Sequence, residues 1–290
     1  MLVTSKYLLN MAEKKNQAIG AFNVTGLSTL LAILEVAQEL KEPVILEFAQ
    51  THEEEKVMDL DSIGPVMVAL AKQAKVPVAV HLDHGIDYNY IEKALEMGFT
   101  SVMYDGSSLP LEENIENTKK VVTLASKYGA SVEAEIGKMA GITMNNNNVI
   151  ENREVDRSNF TDPMEAKQFV KETGVDMLAC SFGTSHGLYT SAPQLDSALV
   201  AELRIATGIP VVMHGGSGVS EEDYYRVIDS GVRKINYYSY MAKAGGEAIR
   251  SYLQKEGVVF YHELANVAKE AMKENVKEAI VLFKNNQGEV

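Results

Sequence analysis

The sequence predicts an α/β protein, a (β/α)8 TIM barrel with extra C-terminal helices. Three observations carry that reading. Short runs rich in Val, Ile and Phe alternate with longer segments of helical period, giving eight strand–helix units. Several helical segments end on a glycine where a helix C-cap would fall: Gly98, Gly129, Gly174, Gly208 and Gly231. Reactive side chains recur at the strand ends, which gather at one mouth in a barrel. An open doubly wound sheet is the runner-up. Against it, no G-x-G-x-x-G follows the first strand and nothing marks a reversal of strand order.

Taken in order, the first strand is Ala18–Val24, followed by the helical segment Leu27–Leu40. Pro43–Phe48 and Ile63–Lys75 form the second unit, Val76–Asp83 and Tyr90–Met97 the third, Ser101–Asp105 and Glu112–Tyr128 the fourth. Ser131–Ile136 precedes Asp162–Thr173, Asp176–Phe182 precedes Leu195–Thr207, and Pro210–His214 precedes Glu221–Ser230. Arg233–Asn236 is the eighth strand. The strands are short apolar runs, whereas the helical segments space apolar residues three and four apart with charge on the other face. Met241–Lys284, an extension over about 241–285, reads as two or three further helices outside the barrel. Lys138–Asn159, with four consecutive asparagines at Asn145–Asn148, breaks the rhythm after the fifth strand. A connection of that length is either a functional lid or a surface insertion. The whole chain, residues 1–290, reads as one barrel domain.

Lys and Arg number 27 against 40 Asp and Glu, a formal charge of −13, so nucleic acid and anionic membrane are not expected partners. Any phosphate must be met by a dedicated site. The single cysteine, Cys180, cannot close an intramolecular disulfide. The N-terminal residues lack the pattern of a signal peptide, and no apolar run is long enough to span a bilayer. A cytoplasmic protein is the expectation.

Asp83 and His84 end the third strand, Asp105 the fourth, and Glu133 and Glu135 the fifth. His186 follows the sixth, His214 ends the seventh and Asn236 the eighth. Singly, each has a packing explanation. Together, three histidines from separate strands with carboxylates between them make a divalent-metal site of the open, catalytic kind. Asp83 reads as an acid/base beside the metal, or as an orienter of a ligating histidine. His81 is expected to support the rim, and His52 and His262 to be surface or packing residues. His214-Gly-Gly-Ser-Gly218 offers bare backbone N–H groups and a hydroxyl to an anion, and Asn236-Tyr-Tyr-Ser239 runs straight into a helix. Barrel enzymes place phosphate in these two loops. A metal beside a phosphate pocket suits a sugar-phosphate aldolase, isomerase or epimerase, and spacing alone does not choose among them.

These motifs resemble the class II, metal-dependent fructose-bisphosphate and tagatose-bisphosphate aldolases over nearly the whole chain. The carrying stretches are Ala21-Phe-Asn-Val24, His81-Leu-Asp-His-Gly85, Ser101-Val-Met-Tyr-Asp-Gly106 and Ser131-Val-Glu-Ala-Glu-Ile-Gly137. Gly183-Thr-Ser-His-Gly187, His214-Gly-Gly-Ser-Gly218 and Lys234-Ile-Asn236 complete them. The resemblance implies that His84, His186 and His214 ligate a catalytic zinc, and that Asp83 moves the proton on the C4 hydroxyl. It implies Asp105 and Glu135 at a second or alternative divalent position. It also implies that Gly187, Gly215, Gly216, Ser217, Asn236, Tyr237, Tyr238 and Ser239 bind the dihydroxyacetone-phosphate half, with a monovalent cation nearby and Asn23 at the substrate rim. The implied reaction is reversible cleavage of a ketose 1,6-bisphosphate by a homodimer or homotetramer. Three departures stand out. Gly141-Ile-Thr-Met-Asn145 lacks the acidic residue that family members carry on the loop after strand five, leaving Glu151 or Glu154 to substitute. Ala49 stands where many members have a hydroxyl, and Tyr237 and Tyr238 add two bulky rings. The metal half matches and the substrate half is altered, which points to shifted specificity or slowed proton exchange.

Overall fold

The computed structural model describes residues 1–138, 157–189 and 191–286. Among the described residues, eight parallel strands close a barrel in chain order, with β8 pairing back to β1. They are β1 (Ile19–Asn23), β2 (Val44–Ala49), β3 (Val78–Gly85), β4 (Ser101–Tyr104), β5 (Ser131–Ile136), β6 (Met177–Cys180), β7 (Val211–Met213) and β8 (Val232–Tyr237). Each lies on its predicted segment, trimmed or extended by a residue or two. The helices run α1 (Ser5–Lys15), α2 (Leu27–Leu40), α3 (Gln50–Glu54), α4 (Leu60–Gln73), α5 (Tyr88–Glu96) and α6 (Leu111–Tyr128). They continue with α7 (Pro163–Thr173), α8 (Ser197–Thr207), α9 (Glu221–Ser230), α10 (Ser239–Tyr252) and α11 (Tyr261–Phe283). The predicted cap glycines at the ends of α6, α7 and α8 adopt the left-handed conformation. The C-terminal extension is α10 and α11, and α11 lies against α10 and α2.

Two helices were not expected. The short α3 follows β2 directly. The longer α1 precedes the first strand, where no strand–helix alternation draws attention to it. Thr4 caps it by accepting from the Tyr7 N–H. Its Leu8, Leu9 and Ala12 pack into the barrel floor against Ile19, Ala21, Ile45, Ala79, Met177, Ala179 and Val212. Leu8 is fully buried there, so Leu8→Ala should destabilise the fold by about 2–5 kcal/mol. Urea titration should show a lower midpoint at unchanged slope, and no shift would mean that α1 merely rests on the barrel.

The barrel interior changes character from floor to mouth because inward side chains repeat every second residue. Above the apolar floor, Glu47, His81, Glu133 and Lys234 are fully buried. Above them lie Asn23, Asp83, Glu135, His214 and Asn236, each at most 6% exposed. The apolar layer between strands and helices encloses this polar column. Among the described residues, no helix is long and apolar enough to cross a membrane.

Candidate metal centre and acid/base site

Adjacent residues on a regular strand face opposite sides, so Asp83 and His84 should not share a pocket. A shift in the β3–β4 register between Leu82 and Gly85 resolves this. His84 itself takes a left-handed backbone, φ 48°, which turns its ring into the mouth beside Asp83. A non-glycine residue holds that conformation only where its surroundings enforce it. The next position has to be glycine, because a Cβ at Gly85 would meet the Met103 carbonyl oxygen at 2.7 Å.

His84, His186 and His214 come together from three strand ends. Their ring centroids lie 4.7 Å apart for His84 and His214, 5.1 Å for His84 and His186, and 5.8 Å for His186 and His214. One nitrogen of each falls within 4.8 Å of the others. Carboxylates hold two of the rings from behind. His84 Nδ1 lies 2.8 Å from Asp105 Oδ2, and His214 Nε2 lies 2.8 Å from Glu133 Oε1. The other nitrogens, His84 Nε2 and His214 Nδ1, are buried and have no hydrogen-bond partner. Buried polar atoms are seldom left so, and a carboxylate behind each imidazole is the support that a metal-binding histidine receives. The donor set therefore fits an imidazole-binding divalent metal. Burial, reinforced by His84 and His214, lowers His186 to about 3, which leaves it the neutral imidazole that ligation requires.

Asp105 is braced in turn by the Ser107 N–H and hydroxyl, at 3.1 and 2.7 Å. With His84 and Glu135 it offers a second set of three converging ligand atoms. Burial raises Glu135 to about 7, and its Oε2 lies 3.4 Å from His214 Nδ1. Asp83 accepts from Asn23 Nδ2 at 3.2 Å and from Asn236 Nδ2 at 3.1 Å, and its Oδ1 lies 3.9 Å from His84 Nε2. Burial would raise its carboxyl. His84, His214 and Lys234 outweigh that and hold it far below the ordinary carboxylate range, so it is ionised.

The glycine-rich loops knit together. Gly216 N–H donates to the Asn236 carbonyl at 3.1 Å, and the Tyr238 N–H donates to Ser217 Oγ at 3.0 Å. Gly215 has φ 63°, and a Cβ there would lie 2.3 Å from the Ser185 carbonyl oxygen. Gly187 also has a positive φ and follows His186. Ser239 opens α10. Two expectations change. The Gly216 N–H is already committed within the protein and is not a bare donor. The Tyr237 ring is not at the mouth: it packs edge-on to Phe22 and Phe283, centroids 5.9 and 6.1 Å away. Alternation on β8 explains this, because Lys234 and Asn236 point inward. Tyr238, beyond the strand end, instead packs on His52 at 5.1 Å. Residues 139–156, including Glu151 and Glu154, lie outside the described residues.

The sequence alone suggests no role for Lys234 or Glu47, and Glu133 reads there as a strand-end carboxylate. Their signal was the two-residue spacing to Asn236, Ala49 and Glu135, which puts them one layer deeper on the same face. Burial favours neutral lysine, but Glu133 and Glu47 outweigh it and hold Lys234 above its ordinary range. It is an ammonium and not an amine nucleophile.

A family model described as "Fructose-bisphosphate aldolase class-II" matches residues 3–288. Among solved structures, the YdjI aldolase from Escherichia coli K12 is 33% identical, with each chain covered over 100% and a TM-score of 0.85. The fructose-bisphosphate aldolase from Campylobacter jejuni is 22% identical over 97% of this chain and 95% of that one, at a TM-score of 0.81, which speaks to the fold alone.

Proposed function

The chain belongs to the class II fructose-bisphosphate aldolase family, and from that premise we propose a zinc-dependent lyase acting on a ketose 1,6-bisphosphate. Fructose 1,6-bisphosphate is the leading substrate, cleaved reversibly to dihydroxyacetone phosphate and an aldehyde such as glyceraldehyde 3-phosphate. The observation that carries this is one pocket holding both a three-histidine cluster and an ionised carboxylate, Asp83, clamped by two amides.

Held by His84, His186 and His214, zinc would supply Lewis-acid polarisation of the ketose carbonyl. The chain's own residues do the rest. Asp83 takes the proton of the C4 hydroxyl as general base. As that oxygen becomes an aldehyde carbonyl, the C3–C4 bond breaks and its electron pair stays on the three-carbon fragment, which takes a proton from solvent at that carbon to leave as dihydroxyacetone phosphate. In the reverse direction Asp83 returns the proton. Asn23 and Asn236 keep the carboxylate aimed, and the loops at Gly187, Gly215–Ser217 and Asn236–Ser239 receive the phosphate of that fragment. The proposal includes a second divalent ion at His84, Asp105 and Glu135, and a monovalent cation beside the glycine-rich loops.

The test is cleavage by metal-stripped protein before and after zinc, with fructose and tagatose 1,6-bisphosphates offered separately. Zinc-restored release of triose phosphate supports the reading. Zinc binding with neither sugar cleaved would count against it. Tagatose 1,6-bisphosphate or another phosphorylated ketose is the second reading. Turnover on the two C4 epimers separates the two readings.

Zinc binding should itself depend on pH. Burial alone would lower His84, but Asp83, Asp105 and Glu135 outweigh it and raise it to about 10 in the metal-free protein. A ligating imidazole must be neutral, so each zinc bound near pH 7 should displace about one proton. Affinity should climb by up to about tenfold per pH unit until that value. The same shift stabilises the metal-free fold fully below pH 6.5, the ordinary histidine value, and the gain is lost as pH rises towards 10. Calorimetry in buffers of different ionisation enthalpy counts the proton, and a count of zero would refute the expectation.

A cytoplasmic homodimer or homotetramer completes the proposal. Val258 and Phe260, between α10 and α11, and Tyr261, at the start of α11, are 81%, 57% and 85% exposed, a surface suited to a second copy. Sedimentation showing only monomer at micromolar concentration would oppose it.

A further inference from the structure

Below the mouth, the barrel holds charge that the proposed reaction does not use. Glu47, His81, Glu133 and Lys234 are fully buried. Lys234 Nζ forms ion pairs with Glu47 Oε1 at 2.7 Å and Glu133 Oε2 at 2.8 Å, and donates a hydrogen bond to Asn236 Oδ1 at 2.8 Å. Two carboxylates balance its charge, and its one hydrogen bond to a neutral group goes to the Asn236 carbonyl oxygen. Stability is a poor reason to keep such a group, because apolar side chains of similar volume often replace buried ion pairs without loss. The structural question is what this ammonium holds in place.

The next bond in the chain answers it. Asn236 Nδ2 donates to Asp83 Oδ1 at 3.1 Å. The two ends of a carboxamide have nearly the same shape, so packing alone fixes its orientation weakly. Here chemistry does so from both sides. Lys234 can only donate and an ionised Asp83 can only accept. Turning the amide over would set donor against donor and acceptor against acceptor. Lys234 is out of solvent and does not line the mouth; its charge helps keep Asp83 ionised, and its hydrogen-bond route to that carboxylate runs through Asn236.

We propose that Lys234 is a positioning residue: held by Glu47 and Glu133, it locks the Asn236 amide with Nδ2 towards Asp83, and so sets the angle at which Asp83 meets the substrate hydroxyl. The proposal rests on the reading of Asp83 as the acid/base.

The first test starts from the wild-type protein labelled with 15N-asparagine. The Asn236 side-chain NH2, identified by its loss in Asn236→Ala, should exchange its protons with solvent far more slowly than an exposed asparagine, and lose that protection in the Lys234 variant described below. Solvent exchange as fast as that of an exposed asparagine side chain would overturn the lock with no appeal to activity. Lys234→Met alone strands two buried carboxylates and endangers the fold, so the variant to measure is Lys234→Met with Glu47→Gln, which removes one charge of each sign. It should keep bound zinc and lose about 100-fold in kcat with KM changed by less than about threefold. In an Asn236→Ala background, the same pair of changes should cost less than about threefold more. An equal loss in both backgrounds means that Lys234 acts through its charge or on the fold and not through the Asn236 amide, which overturns the proposal. If the wild-type chain cleaves no ketose phosphate, the reaction reading falls, while the amide signals still decide the lock.

Discussion

Asp83→Ala should retain one zinc per chain and lose roughly 100- to 10 000-fold in kcat for ketose-bisphosphate cleavage, the range removed with a general acid/base. Zinc is retained because His84, His186 and His214 are untouched. The loss falls on kcat because no other described carboxylate is placed to take over. Glu135 lies on the His214 side of the cluster, and Asp105 is engaged by His84 and Ser107. Alanine leaves the Asn23 and Asn236 amides without their acceptor, a cost that water entering the vacated space would offset. Steady-state kinetics with metal analysis on the same sample checks both halves. Activity within about tenfold of wild type would remove Asp83 from the chemistry.

His214→Ala should abolish both zinc retention and cleavage, and should also weaken the fold. His214 is 1% exposed and serves two partners: Nδ1 faces the metal cluster while Nε2 bonds Glu133. Removing the ring takes away a ligand and leaves the buried Glu133 carboxylate to Lys234. Losing a charge-assisted hydrogen bond of that kind costs about 1.5–3 kcal/mol. His262→Ala is the matched control, because that ring is exposed and stacked on Phe260. Zinc content after dialysis and urea unfolding of the metal-free proteins separate ligation from stability. A His214→Ala protein that still holds one zinc would dismiss His214 as a ligand.

The barrel and much of the site were legible because their signals are local. Val, Ile and Phe runs, the helical period of segments such as Leu27–Leu40, and cap glycines such as Gly129 each report on a few neighbouring residues. Knowing that strand ends meet at one mouth then placed Asp83, His84, His186 and His214 together. The plug formed by α1 was missed because its meaning depends on which residues lie across the barrel floor. Tyr237 was misplaced because a motif names residues in a row, whereas a strand sends neighbours to opposite faces.

The sequence by itself thus determined the order of elements, the closed-barrel class, and which chemical groups reach the mouth. These follow from hydrophobic period and from turn residues, which act over one element at a time. Only the tertiary structure decided how those groups face one another. The left-handed backbone of His84 follows a register shift between two strands. The orientation of the Asn236 amide is set by an ammonium below it and a carboxylate from β3 beside it. The state of Lys234 depends on carboxylates from β2 and β5. Each involves groups from different strands at hydrogen-bonding range, where direction and charge, rather than local spacing, carry the energy.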